Sequence, residues 1–174
     1  IFALAALVVT FAGYKTVTYK LTALKQAQAE VSQVTANMRQ KQLDCLARNI
    51  YHEAGYEPFE GKVAVAQVTI NRANDPDFPN TICEVVYQKT TSSLGQKICQ
   101  FTWTCNHVSA EKDEYLWEEA KYIAHKALTQ PIAHSIIKKT NAMFYHADYV
   151  HPKWKLDKTA QIGRHIFYKE RDGI

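Results

Sequence analysis

The feature that most constrains this chain is an acidic residue placed just before a turn between two helices. Gly55 and Pro58 follow Glu53 closely. They predict the end of one helix, because glycine has a low helix propensity, and proline lacks an amide hydrogen and disfavours a helical residue before it. A second helix is predicted from about Phe59 to Ala73. The chain must therefore turn at this point and hold the Glu53 carboxyl at the turn.

Two further helices and two irregular stretches are predicted beyond this turn. Thr81 and Glu84 have the spacing of a capping box, which predicts a short helix. Apolar residues at three- and four-residue steps predict an amphipathic helix over 110–128. The segment 74–80 is rich in turn residues, and 89–96 is polar and predicted to be mobile.

The C-terminal third changes character. Short bursts of aromatic and β-branched residues occur at Ala142–Tyr149 and at Arg164–Lys169. They predict two strands that pair as a small antiparallel ribbon. The fold class expected from these elements is α+β, with a mostly helical domain and a small antiparallel β element.

Residues 1–14 form a segment of a different kind, which carries no charge before Lys15. A membrane-spanning helix needs about 20 apolar residues, so this segment is short for a span. Three interpretations remain open: the end of a longer membrane segment, the apolar part of an uncleaved export signal, or a short buried helix. Lys15, Lys20 and Lys25 follow this segment and favour a cytoplasmic flank if it lies in a membrane.

Residues 15–42 predict a long helix, because Thr16–Gln42 contains neither glycine nor proline. Its apolar stripe is thin and breaks at Gln28. Such a stripe is typical of a spacer or a weak coiled coil, which leads us to consider helix-mediated self-association. A helix packed on a neighbour is an equal alternative. The remaining residues, 43–174, are predicted to form the functional domain.

Composition limits the class of partner. The chain of 174 residues suits one domain with an appendage. Its formal net charge is +4, which favours contact with an anionic surface through long-range attraction. Lys and Arg are spread along the chain without a basic cluster, so no nucleic-acid partner is predicted.

Four segments in a fixed order carry a resemblance to a known family. They are residues 49–60, 61–72, 99–105 and 144–149. Together they resemble the SleB-type cell-wall hydrolases, which cut the glycan of peptidoglycan. The resemblance implies a lysozyme-like domain and cleavage between N-acetylmuramic acid and N-acetylglucosamine. It also implies that Glu53 is the catalytic acid.

The setting of Glu53 suits that role. Tyr51, Tyr56 and Phe59 lie near it in the sequence, and apolar surroundings raise the pKa of a carboxyl so that it keeps a proton to donate. No second carboxylate has a comparable setting, because Glu57 and Glu60 suit capping and solvation near a helix start. A single acid is consistent with a lytic transglycosylase, in which the C6 hydroxyl of the sugar attacks instead of water.

Several other residues are candidates for contact with peptidoglycan. Gln67 and Asn71 lie four apart in an apolar helix, and buried amides are costly unless they are hydrogen-bonded. They either bind the N-acetyl groups or Glu53, or form an internal network that holds the turn, and both alternatives remain open. The full candidate set for substrate binding is Gln67, Asn71, Phe101, Trp103, Tyr145 and His146.

The cysteines form an even set. Cys45, Cys83, Cys99 and Cys105 allow three pairings into two disulfides, and sequence does not choose among them. Disulfides suit a protein that acts outside the cytoplasm.

A metal site is the competing interpretation. His146, Asp148 and His151 are ligand types that a zinc-dependent amidase or peptidase would use. However, only residues two apart share a face of a strand, so these three cannot all point to one side. We therefore predict no metal ion and no cofactor.

Two departures from the family remain. The turn after Glu53 is shorter than in many relatives and lacks their arginine. Spore relatives usually carry a separate wall-binding domain, and the hydrophobic N-terminal segment seen here suggests a membrane-tethered enzyme or a bacteriophage protein instead. The expected location is extracytoplasmic and membrane-anchored, or virion-associated in a bacteriophage protein. A further alternative is a structural protein of a virion or envelope that binds the wall without cutting it.

Overall fold

The computed structural model describes residues 2–106, 111–129 and 141–171, with side chains described from Tyr14 onward. The helices are α1 (Phe2–Ala54), α2 (Phe59–Ala73), α3 (Ile82–Val86) and α4 (Glu114–Thr129), with a short 3-10 helix at Thr102–Thr104. The strands are β1 (Lys89–Thr91), β2 (Lys97–Cys99), β3 (Phe144–Ala147), β4 (Asp157–Ile162) and β5 (His165–Lys169). The predicted class, α+β with a mostly helical domain and a small antiparallel sheet, is confirmed.

Helix α1 is continuous over its 53 residues, so the predicted spacer and the first helix of the functional domain are one element. The chain divides into two compact units, Ile1–Gln40 and Lys41–Ile174. In the first unit, apolar side chains such as Leu24 and Val31 are exposed. In the part of the chain that is described, no helix is long and apolar enough to cross a membrane. The side chains of the predicted hydrophobic segment before Tyr14 lie outside that part.

The main core of the second unit lies between the C-terminal end of α1, α2 and α4. Leu46 and Ile50 of α1 are fully buried against Ala120 and Ile123 of α4. Val63 and Ala66 of α2 join the same core. The predicted bounds of α2 are confirmed, and the Thr81 side chain caps α3 by accepting a hydrogen bond from the Glu84 amide. The main core thus supports the corner that bears Glu53.

Two predicted element bounds need correction. The stretch 89–96 was predicted to be polar and mobile and no strand was predicted in it, but it contains β1 and the turn that pairs it with β2. Strands of three residues are too short for a sequence pattern to indicate. The predicted amphipathic helix begins at Glu114 rather than near 110. Asp113 caps its first turn, because the Asp113 side chain accepts a hydrogen bond from the Leu116 amide. Ala110 lies outside the described residues.

The three-stranded sheet has the order β3-β5-β4 and is antiparallel throughout. The predicted pairing of the two aromatic segments is confirmed as β3 with β5. Phe167 at its centre is fully buried with Ala64 and Val68 of α2. Strand β4 was not predicted, because an edge strand of sequence Asp-Lys-Thr-Ala-Gln-Ile lacks a clear apolar alternation.

The hairpin between β4 and β5 docks on the turn between α1 and α2. Gly163 has φ of +55°, and a Cβ there would overlap Glu57 Oε2 and come within 2.9 Å of Pro58 Cδ. The Arg164 amide donates a hydrogen bond of 2.9 Å to Glu57 Oε2. Only glycine allows this close approach, so the hairpin and the helix corner are held together at one point.

Both disulfides are formed. Cys45 of α1 pairs with Cys83 of α3, and Cys99 of β2 pairs with Cys105 after the 3-10 helix. The sequence left three pairings open, and the fold selects this one by distance, with Cα atoms 5.2 and 5.8 Å apart. The first bridge ties α3 to the main core, and the second closes the loop that carries Trp103.

We expect Gly163→Ala to lower the free energy of unfolding by at least about 1 kcal/mol more than Gly95→Ala. Both glycines have positive φ, but a Cβ at Gly95 meets nothing within 4 Å. Gly95→Ala therefore reports backbone strain alone, and the difference reports the overlap with Glu57. Urea unfolding measures both variants, and equal losses would contradict the close packing at Gly163.

We also expect unequal contributions from the two disulfides. The Cys45–Cys83 bridge closes a separation of 38 residues and Cys99–Cys105 one of 6. In the chain-entropy relation these loops correspond to about 4 and about 2 kcal/mol. Unfolding of the paired variants Cys45→Ala/Cys83→Ala and Cys99→Ala/Cys105→Ala, without reductant, measures the two losses. A larger loss from the short loop would show that native packing rather than loop entropy dominates.

Candidate active site

Glu53 lies in the last turn of α1, where the helix ends against the turn to α2. Its side chain is partly buried and lines a pocket of about 230 Å³. Helix α1, the turn and one residue of α4 build this pocket. Its lining residues are Tyr51, His52, Glu53, Ala54, Gly55, Tyr56, Glu57 and Leu116.

Tyr145 of β3 reaches Glu53 from the sheet. Its hydroxyl donates a hydrogen bond of 3.1 Å to Glu53 Oε2. The Tyr145 ring packs against His165 and Phe167 of β5, with ring centres 5.1 and 5.6 Å away. Tyr145 was predicted to contact the sugar, and that contact stays a prediction; in the structure it contacts the candidate acid.

The protonation of Glu53 reflects its burial. Loss of solvent raises the pKa of this carboxyl, while the hydrogen bond from Tyr145 and the positive charge of Arg72 act in the opposite direction. Burial also raises the pKa of the Tyr145 phenol well above its ordinary value, so Tyr145 remains a hydrogen-bond donor. The Glu53 carboxyl thus keeps its proton to a higher pH than an exposed glutamate does, as a general acid requires.

Arg72 is the residue near this carboxyl that sequence analysis missed. It lies in the last turn of α2 and is 3% exposed. Its Nε donates to the Met143 carbonyl at 2.7 Å, one residue before β3. The sequence did hold a signal, since Arg72 follows Val68 by four residues and so continues the buried face of α2. A charge on a buried face is rarely without a role.

Gln67 and Asn71 form an internal network. Gln67 Nε2 donates to Asn71 Oδ1 at 2.8 Å, and Asn71 Nδ2 donates to the Ala142 carbonyl at 2.9 Å. These bonds tie α2 to the segment that leads into β3. The geometry favours the internal-network alternative, and contact with substrate stays a prediction.

Trp103 is positioned by α1. Its indole Nε1 donates to Asn49 Oδ1 at 3.1 Å, and the Asn49 side chain in turn donates to Thr69 of α2. The indole stacks on the His52 ring with centres 4.4 Å apart. Trp103 therefore lies on the same side of α1 as a wall of the Glu53 pocket.

Phe101 belongs to the core rather than to the pocket. It is 4% exposed, and the guanidinium of Arg72 lies 5.7 Å from its ring centre. A ring so enclosed has little free face for a sugar to stack on. Its predicted role in substrate binding therefore rests on the sequence alone.

His146 lies on the face of β3 opposite to Tyr145, because adjacent strand residues point to opposite faces. Its Nε2 is 2.9 Å from the Tyr168 hydroxyl, and its ring stacks on Tyr168 and meets Trp154 edge-on. The structure therefore does not bring His146 to Glu53. Among the side chains that are described, no three of the His, Cys, Asp or Glu type come together as metal ligands.

Glu57 is a second carboxylate in the wall of the Glu53 pocket. Sequence analysis attributed it to capping and solvation. In the structure its Oε2 accepts the Arg164 amide, so it also anchors the hairpin between β4 and β5. The pocket therefore holds one acid with a raised pKa and one further carboxylate, and Tyr145, which is not among the lining residues, donates a hydrogen bond to the acid.

Comparison with known proteins shows which family the chain belongs to. Residues 56–168 match the sequence profile of the family described as Cell Wall Hydrolase, and the match begins just after Glu53. A spore cortex-lytic enzyme of Oceanobacillus iheyensis is 31% identical over 133 residues, which cover 75% of this chain and 42% of that protein. The chain thus spans less than half the length of this relative.

Two solved structures share the fold. The catalytic domain of the Bacillus cereus SleB protein matches with a TM-score of 0.52 and 27% identity, covering 75% of this chain and 91% of that domain. The catalytic domain of the germination-specific lytic transglycosylase SleB from Bacillus anthracis matches with a TM-score of 0.55 and 28% identity, covering 75% and 95%. The profile match spans more than half of the sequence. This chain belongs to the cell wall hydrolase family.

Proposed function

We propose that this protein cleaves the glycan strands of peptidoglycan between N-acetylmuramic acid and N-acetylglucosamine, with Glu53 as the acid. The observation that carries the proposal is the Glu53 carboxyl itself, which lines an open pocket, has a raised pKa and accepts a hydrogen bond from Tyr145. The similarity to enzymes named for lysis of spore cortex and for lytic transglycosylation supports the same substrate.

The finer proposal is a lytic transglycosylase. Glu53 gives its proton to the glycosidic oxygen as the bond from C1 of N-acetylmuramic acid to that oxygen breaks. The C6 hydroxyl of the same sugar then bonds to C1, and its proton passes to the Glu53 carboxylate. No water enters, and the carboxyl ends in the protonated state in which it began. The neighbouring hydroxyl has the advantage over water of a high effective concentration.

Hydrolysis is a second candidate, favoured by the position of Glu57. An inverting glycosidase needs a second carboxylate to activate water on the opposite face of the sugar. Glu57 lines the same pocket as Glu53, although its Oε2 is engaged by the Arg164 amide. This engagement orients the carboxylate and leaves its Oε1 as the atom to accept a proton from water.

Action outside the cytoplasm is part of the proposal. The two disulfides are stable in an oxidising compartment, and the net charge of +4 favours an anionic wall. Three further proposals rest on the sequence: attachment to a membrane through the N-terminal segment, self-association of α1, and incorporation into a virion. For self-association, the contact surface would be the exposed apolar side chains of α1, such as Leu21, Leu24 and Val31.

We expect Glu53→Gln to fold normally and to lose at least about a hundredfold in activity, because the amide keeps the shape but cannot supply the proton. Release of soluble fragments from purified peptidoglycan measures this loss. Glu60→Gln is the matched control, since Glu60 is exposed in the first turn of α2 and should keep full activity. Activity of Glu53→Gln within tenfold of the unchanged protein would rule out this role.

The pH profile follows from the raised pKa of Glu53. The acid must be protonated, so activity should fall as pH rises through its pKa, which lies above that of an exposed glutamate. Initial rates measured from acidic to alkaline pH give this falling limb of the pH–rate profile. Thermal unfolding at each pH is the control for stability. A limb at the pH where exposed glutamates ionise would contradict burial of the carboxyl.

We expect the products to end in 1,6-anhydro-N-acetylmuramic acid, each lighter by one water than a hydrolytic fragment. Mass spectrometry of the digest identifies the ends. Hydrolysis would be established instead if the products carried reducing ends and the Glu57→Gln variant no longer formed them. Cut peptide stems on intact glycan would indicate an amidase or peptidase, and binding without any cleavage would indicate a structural wall-binding protein.

A further inference from the structure

Arg72 carries a buried charge that forms no salt bridge with any residue the structure describes. Its exposure is 3%, and its Nη1 has no hydrogen-bond partner among those residues. None of the salt bridges among the described residues includes it. A buried charge of this kind is costly in free energy, so its presence calls for a physical reason.

The surroundings of Arg72 hold the guanidinium in place without neutralising it. The Met143 carbonyl accepts its Nε proton. The ring centres of Phe78, Phe101 and Phe144 lie 5.4, 5.7 and 5.6 Å from its central carbon. Cation–π contacts stabilise a cation through the ring quadrupoles and leave its full charge available to act on neighbours. Arginine stays protonated even when burial lowers its pKa, as it does here.

The groups that feel this charge belong to the candidate site. Met143 and Phe144, which touch Arg72, directly precede Tyr145, the hydrogen-bond donor to Glu53. Negative charge on Tyr145 or Glu53 favours the protonated guanidinium and opposes the lowering of the Arg72 pKa by burial.

The other titratable groups that line the Glu53 pocket are Tyr51, His52, Tyr56 and Glu57. Burial lowers the pKa of His52 and favours its neutral form. Arg48, which also acts on His52, is paired with Glu111, whereas Arg72 is the cation that acts on the Glu53 carboxyl.

We propose that Arg72 is a positioning residue for Glu53: it is the fixed counter-charge for the carboxylate that forms once Glu53 has given up its proton. The catalytic consequence rests on the proposed function, whereas the coupling of the two charges does not. Without the positive charge of Arg72, burial would raise the pKa of the carboxyl further and disfavour the carboxylate. A cation caged by three rings and one carbonyl offsets that effect and keeps its position while Glu53 changes charge.

A double-mutant cycle on stability tests the coupling without any activity. Arg72→Met, Glu53→Gln and their combination are compared with the unchanged protein by thermal unfolding. At a pH where Glu53 is ionised, we expect Arg72→Met to lower Tm by about 2–4 °C more in the presence of Glu53 than in the Glu53→Gln background. The difference should vanish at acidic pH, where Glu53 is protonated. Equal losses in both backgrounds at every pH would overturn the proposal.

A second measurement needs no variant at Arg72 and stays informative if Arg72→Met fails to fold. Carboxyl carbon NMR of the intact chain follows the Glu53 resonance, assigned by its loss in Glu53→Gln. With a counter-charge beside it, Glu53 should ionise in the folded protein well before alkaline unfolding. A carboxyl that stays protonated until the fold is lost would exclude Arg72 as its counter-charge.

A third measurement uses enzymatic activity to separate the effect of the Arg72 charge from the effect of its side-chain shape. Arg72→Lys keeps the charge, so the alkaline limb of the pH–rate profile should stay in place. Arg72→Met removes it, so the limb should move by about half a unit or more to higher pH, with a lower kcat at the optimum. A merely structural role would change kcat without moving the limb. If the unchanged protein fails to cut peptidoglycan, the proposed function fails, while the stability cycle still decides the coupling.

Discussion

The contact between the three-stranded sheet and the corner of α1 and α2 is the interaction on which the candidate site depends. Gly163 lets the hairpin between β4 and β5 press against Glu57 and Pro58, and the Arg164 amide closes the contact with a hydrogen bond. That docking sets the position of β5, and β5 in turn sets β3 by pairing. The Tyr145 hydroxyl consequently meets Glu53 from a distance of 92 residues along the chain. Without the docking, the Glu53 carboxyl would lose the hydrogen bond from Tyr145.

Polar groups in the core make this arrangement specific. Asn49 joins Thr69 of α2 to Trp103, while Gln67 and Asn71 join α2 to the entry of β3. These networks contribute little net stability, because similar bonds to water are lost on folding. A wrong register would leave buried amides unpaired, which costs far more. They therefore fix the helices and the strand relative to one another around the acid.

The site is maintained at a cost to stability. The raised pKa of Glu53 means that the folded state holds a proton that the unfolded chain has already released, so folding stability falls as pH rises from the unfolded to the folded pKa. The Arg72 guanidinium adds a second desolvated group. The main core around Leu46 and Ile50 and the Cys45–Cys83 bridge lie beside the same end of α1 and offset these terms. Ionisable groups whose pKa is shifted by burial are common at functional sites.

Local sequence determined the elements that depend on near neighbours. Pro58 and Gly55 ended α1, the run from Phe59 to Ala73 formed α2 with the predicted bounds, and Thr81 capped α3. The position of Glu53 at a helix end was predictable for the same reason, since it needs only the residues that follow it. Family resemblance added the chemistry.

Tertiary structure alone decided what depends on residues far apart in the chain. The pairing of the cysteines, the bond from Tyr145 to Glu53 and the cage around Arg72 join segments from α1, α2, β3 and the loops between them. Strand β4 needed its partner β5 before its polar sequence had a reason to be extended. His146 and Tyr145 are adjacent in sequence, yet the strand sends them to opposite faces, so only one of them reaches the acid. Helix periodicity and capping act over a few residues, whereas the protonation of a buried acid depends on every group that the whole fold packs around it.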